Sequence, residues 1–168
     1  RMISRSFAPA NFHGTHVHGT AGGGGIWNEL YEGHAPRSTL LSQYFTGAWV
    51  NAPTYFTDHN MVITNNSYGN VTLDCDYSGG YDNYSRILDQ LAISLPKVSN
   101  LFAAGNSGIG FPLNCSPYPA GFKSILGGYQ SAKNVITIGN AYADGVIFPQ
   151  SSRGPVRDGR IKPEIVAQ

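Results

Sequence analysis

Apolar positions along this chain fall into short blocks separated by Gly-, Pro- and Asn-rich stretches, and the period of the blocks changes from one to the next. Residues 13–22 (HGTHVHGTAG) mix small residues with histidine and hold no β-branched run, which predicts a helix opening at His13 whose glycines permit close packing. Ser38–Phe45 reads as a strand after the turn signal of Gly33–Pro36. Met61–Thr64 reads as a short buried strand that runs into the turn-rich Asn65–Gly69. Over Tyr81–Leu95, the residues Ile87, Leu88, Leu91, Ala92 and Leu95 recur at three- and four-residue steps, the spacing of an amphipathic helix, and Pro96 stops it. Leu101–Ala104 is a second short buried strand, ending at Gly105-Asn106, and Asn134–Ala141 is a third. The closing run GRIKPEIVAQ is apolar and strand-like. Short buried strands alternating with a helix predict βαβ units, a mainly parallel sheet and an α/β class. In such sheets ligands meet the carboxyl ends of the strands. The loops after Thr64 and Ala104 and the histidine cluster are therefore where chemistry is expected. With no repeat and no low-complexity linker, residues 1–168 are read as one stretch without an internal boundary.

Composition narrows the classes. Charged residues make up 12% of the chain, about half the usual share, which excludes a coiled coil or a charged disordered tail. A net charge of +1 gives no electrostatic footprint for nucleic acid and none for an anionic membrane surface. No apolar run is long enough to span a bilayer as a helix. The first residues, RMISRSFAPANF, lack both an initiator Met and an apolar leader, so the chain is expected to begin inside a longer reading frame. The two cysteines, Cys75 and Cys115, are either buried thiols or one disulfide. Both lie in Gly/Asn/Ser/Tyr-rich loops, which together with low charge and 10 Tyr suggests an extracytoplasmic protein. Their spacing is not that of a zinc site.

Four local patterns carry candidate chemistry. In Asn11-Phe-His13-Gly-Thr-His16-Val-His18, three histidines fall at i, i+3 and i+5. On a helix the third leaves the face shared by the first two, so they cannot jointly face one ion, and no HExxH occurs; no metal site is assigned. They are either packed or solvated side chains, or the first holds a general base in the opening turn of the helix. Imidazole is the natural proton acceptor for a hydroxyl nucleophile near neutral pH. In Phe102–Gly108 a buried strand ends in small residues and Asn106, whose amide can donate to a developing oxyanion; alone, the same residues make an ordinary turn. Asn65–Gly69 can offer an extended backbone to a peptide, or simply turn. Residues 148–155 and 158–163 form a Pro-stiffened loop.

Taken in order, HGTHVHGT, NNSYG, AAGNSG and SSRGP…DGRIKPEIVAQ resemble the subtilisin-like serine proteases, the subtilases (peptidase S8 family), from His13 to Gln168. The resemblance implies a three-layer α/β/α sandwich around a mainly parallel sheet, incomplete in this chain. It implies His13 as catalytic base and Asn106 as oxyanion donor. Ser67, Tyr68 and Gly69 would pair with the substrate backbone and wall its pocket, and Ala103, Ala104 and Gly105 would form the other wall. Tyr68 beside that pocket hints at an apolar or aromatic residue before the scissile bond. Cys75 and Cys115, if paired, would tie the two walls together. The family often binds structural calcium after the His helix, where Asn28, Glu29 and Glu32 are candidate oxygen ligands here; no cofactor is required for the chemistry.

The chain also departs from the family pattern. A subtilase triad runs Asp, His, Ser in chain order. No Asp or Glu precedes His13, and no Gly-Thr-Ser box occurs anywhere. Residues 1–168 are therefore expected to be part of a subtilase catalytic domain, from the His box to just before the Ser box, of a secreted endopeptidase acting on peptides or proteins. By itself the chain is expected to be inactive and to need complementary segments of the same domain, since missing strands would expose apolar surface such as Ile161–Val166. The alternative is a non-catalytic pseudoprotease or processed fragment that binds peptide or a partner chain.

Overall fold

The computed structural model describes residues 2–5, 11–45, 47–71, 74–109 and 115–168. The chain divides into two compact units, 1–51 and 52–168.

The first unit holds β1 (Met2–Ser4), α1 (Phe12–Gly22), β2 (Leu40–Ser42) and the single turn α2 (Gly47–Val50). β1 and β2 pair in parallel, with Met2 opposite Leu40. Asn11 caps α1: its Oδ1 accepts from Gly14 N at 2.9 Å, satisfying one of the amides that a first turn leaves free. At the other end Gly33 N donates to Gly23 O at 2.8 Å. A Cβ on Gly33 would stand 2.5 Å from Gly23 N, so the returning loop lies backbone to backbone on the helix end, which only glycine permits. The expected strand over 38–45 is cut to three residues because the chain turns after Ser42, Gly47 N reaching Tyr44 O at 2.7 Å, and enters α2. β1 was not foreseen from the pattern.

The second unit holds α3 (Ala52–His59), β3 (Ile63–Asn66), α4 (Asn83–Ser94), β4 (Ser99–Ala103), β5 (Ile136–Asn140) and β6 (Ile165–Ala167). Its sheet runs β3-β4-β5-β6 and is parallel at every pairing, so the α/β class with a mainly parallel sheet holds. α4 begins at Asn83, two residues into the expected Tyr81–Leu95, because Asp82 caps it, accepting from Tyr84 N and Ser85 N, while Ser85 Oγ accepts from Asp82 N. The helix packs on the segment before β5 through buried Leu88 and through Ser85 Oγ, which donates to Gly128 O.

One face of this sheet is buried, and much of it is polar: Thr64, Asn66, Asn100 and Thr137 lie beside Phe102. Most of these groups find partners within the sheet, while Asn100 Nδ2 is buried without one. Thr64 Oγ1 donates to Asn100 Oδ1 at 2.8 Å, and Asn66 Nδ2 donates to Thr64 Oγ1 and to Leu101 O. That network explains why β3 slides two residues past the expected Met61–Thr64: its asparagines are strand residues with internal partners, not turn residues. On the opposite face Ile63 and Ile165 are more than half exposed. β6 is shorter than the apolar run because Pro163 has no amide to donate. Just before it, Lys162 turns inward to Val135 O at 3.0 Å and to Glu164 Oε1 at 2.5 Å, and Glu164 Oε2 accepts from Thr137 N at 2.7 Å. Burial pushes the Lys162 ammonium below the usual lysine range, against the opposing pull of Glu164.

Candidate active site

His13 is the second residue of α1 and is exposed. Its imidazole makes no hydrogen bond among the described residues, so both ring nitrogens are open to a partner. The other two histidines of the cluster are placed differently. His18 Nδ1 lies 2.7 Å from Gly14 O, one helical turn back, and is occupied by the backbone; His16 is exposed. Among the described residues no three His, Cys, Asp or Glu side chains gather as metal ligands.

The carboxyl ends of β3 and β4 are neighbours in the second unit, which brings Ser67–Gly69 beside Ala103–Asn106. The stretch after β4 is held on both sides. Ala104 N donates to Ile138 O, and Leu126 N donates to Ala104 O. Gly105 takes φ +117°, a left-handed conformation that L side chains rarely adopt. Its carbonyl accepts from Ser152 N at 3.0 Å, and Ser107 N donates to Ser152 Oγ at 3.0 Å. Ser152 is fully buried. Asn106 thus sits on a backbone pinned before and after it, with its own side chain exposed and unbonded among the described residues. An amide so placed can present N–H donors to a developing negative charge without reorganising first. Sequence reading missed Ser152, which lay in a loop with no chemistry of its own; its signal was only its place in the ordered motifs.

The β3 side is tied to the β4 side by Gln130, in the 3₁₀ turn Gly128–Ser131. Its Nε2 donates to Tyr68 O at 2.8 Å and to Ala103 O at 3.1 Å. The Tyr68 ring packs edge-on against Phe102 and Tyr129, and its hydroxyl donates to Asn66 Oδ1 at 2.9 Å. Ser67 and Gly69 are half-buried, Ala103 is exposed, Ala104 is buried and Gly105 is half-buried. Cys75 and Cys115 form a disulfide with Cα atoms 5.4 Å apart, joining the connection after β3 to the connection after β4. In the loop after α1, Asn28 Oδ1 accepts from Leu30 N, capping a short turn, while Glu29 and Glu32 are exposed.

A parallel α/β unit with this ordered set of motifs defines a class, and the comparison of sequences agrees. The profile of the subtilase family matches residues 4–168: the chain belongs to the subtilase family. Tripeptidyl-peptidase 2 of rice (Oryza sativa subsp. japonica) is 31% identical over 172 residues, covering 92% of this chain and 12% of that protein. Among solved structures, a serine-to-alanine mutant of the protease domain of PatA superposes with a TM-score of 0.59 at 19% identity, covering 92% of this chain and 55% of that one. At that identity it shows the fold alone. The prenylagaramide maturation protease PagA gives a TM-score of 0.49 at 18% identity, over 73% of this chain and 41% of that one. The chain thus spans little more than half of these relatives at most.

Proposed function

We propose that residues 1–168 are part of the catalytic domain of a secreted serine endopeptidase that cleaves peptide bonds through an Asp-His-Ser triad. His13 is the base: it takes the proton of the nucleophilic Ser and returns it to the leaving amine. Asn106 donates to the oxyanion of the tetrahedral intermediate. The backbone at Ser67–Gly69 pairs with the extended substrate, and Ala103–Gly105 closes the pocket from the other side. The triad Asp and Ser come from further segments of the same domain, because no Asp precedes His13 and no Gly-Thr-Ser box occurs. Half-exposed Ile165 and Val166 support this, as apolar surface for those segments to cover. The 168 residues alone lack the nucleophile and do not hydrolyse peptides. The disulfide supports an oxidising, extracellular setting.

The observation that carries this reading most is Asn106, an exposed, unbonded amide on a pinned backbone at the carboxyl end of a central strand. In the complete protein, Asn106→Ala is expected to lower kcat by about 10²–10³ with KM nearly unchanged; that magnitude is the one known for the equivalent donor of subtilisin. Steady-state kinetics on a peptide substrate decides it. An unchanged kcat, or an effect confined to KM, removes the oxyanion role.

A further inference from the structure

Building on the peptidase reading above, we propose that Gln130 is a positioning residue, which holds the backbone of Ser67–Gly69 in the conformation that an extended peptide substrate pairs with. It acts through that backbone and not on the reacting bond. The β3–β4 ladder stops at the pair Asn66–Phe102, just short of Ser67 and of Ala103. Past that point a side chain carries the connection on: Gln130 Nε2 donates to Tyr68 O at 2.8 Å and to Ala103 O at 3.1 Å. The amide is delivered from a fixed turn. Gly128 opens it with φ +76°, Gly128 N donates to Gly80 O at 2.9 Å, and Thr137 Oγ1 on β5 donates to Gln130 O at 3.0 Å. A Cβ on Gly69 would stand 2.6 Å from Gln130 Nε2, so the amide lies directly against the Gly69 backbone, an approach that needs glycine there.

The two carbonyls do not depend on this amide equally. The stretch after β4 has backbone bonds of its own to Ile138, Leu126 and Ser152, none of which involves Gln130. Ser67–Gly69 lies past the end of its ladder, so the bond to Tyr68 O is the one with consequences. Successive residues of an extended chain turn their backbone groups to opposite edges. Fixing Tyr68 O on Gln130 therefore turns the groups of Ser67 and Gly69 to the other edge, where a peptide backbone would pair. Packing alone does not call for glutamine here. Gln130 is fully buried and its Oε1 has no partner, a loss that an apolar side chain of the same length would avoid.

The test compares two substrates of the complete protein: a peptide anilide with several residues before the scissile bond, and a blocked single-residue ester, which has almost no backbone to pair. Gln130→Met keeps the length of the side chain and removes both donors. KM for the peptide is expected to rise about tenfold, the scale of a lost hydrogen-bonded contact made alike in ground and transition states. Its kcat, and kcat/KM on the ester, should stay within about twofold of wild type. Both are read below the unfolding transition of the variant, so lower stability by itself does not move their ratio. Where Gln130→Met does not fold, Gln130→Asn, one methylene too short to reach both carbonyls, is read in the same way. An unchanged KM for the peptide overturns the proposal and leaves the peptidase reading intact. So does an equal loss on peptide and ester, which would place the effect on the reacting groups or on the fold at large. A wild-type protein that cleaves neither substrate removes the peptidase reading, and this proposal with it.

Discussion

Asp89 is a carboxylate in α4 that is almost fully buried yet stays charged. Tyr81 Oη donates to Oδ2 at 2.7 Å, and Asn134 donates to Oδ1 from its backbone N at 2.7 Å and from its Nδ2 at 3.1 Å. Burial alone would raise its pKa, but these bonds together hold it below the usual Asp value. A depressed folded-state pKa contributes stability that is present above the unfolded value, near 3.9, and is lost as pH falls through the folded value. Asp89→Asn is therefore expected to cost about 1–2 kcal/mol at neutral pH in urea unfolding of the complete protein. The difference from wild type should close as pH drops below about 4; a gap that persists at pH 2 contradicts this account. At this scale the sequence was legible where chemistry is intrinsic to residue type. An imidazole opening a helix and an amide ending a strand can be picked out from order and spacing. Gln130 and Leu126 could not be. The partners of Gln130 lie 27 and 62 residues away in sequence, and nothing in a Leu–Gly–Gly–Tyr–Gln run announces a clamp.

Periodicity located α4, β4 and β5 closely because each carries a regular apolar stripe and a clear stop. It failed on β3, where the buried face is built from Thr64 and Asn66 and the polar residues read as a turn. It also failed on β1 and α2, segments of three or four residues that are too short to show a period and exist through tertiary contacts, while β6 occupies three residues of the strand-like closing run. The connections were better served by composition. Two cysteines in polar loops left thiols and disulfide both open, and the bond between Cys75 and Cys115 joins the loops that leave β3 and β4. Closing a 40-residue separation is worth about 3–4 kcal/mol in the chain-entropy picture. The Cys75→Ser, Cys115→Ser double variant should lose that much in denaturant titration of the complete protein. Stability within about 0.5 kcal/mol of wild type would show that the loops are held by other contacts.

As a whole, the chain combines a polar sheet face, hydrogen-bonded internally except at Asn100 Nδ2, with an opposite face that leaves Ile63 and Ile165 about half exposed. Its first unit exposes Phe12, Trp27 and Leu30 almost completely. Surface of this kind in a folded protein is normally covered, and complementary segments of the domain are the cover this account requires. In the proposed reading the same segments also bring the triad Asp and Ser. Fluorophosphonate labelling of the complete protein, with the adduct mapped by peptide mass spectrometry, tests this most directly. The account predicts a single modified Ser outside residues 1–168, with labelling abolished by His13→Ala. No adduct at all, or an adduct on a Ser within this chain, would contradict it.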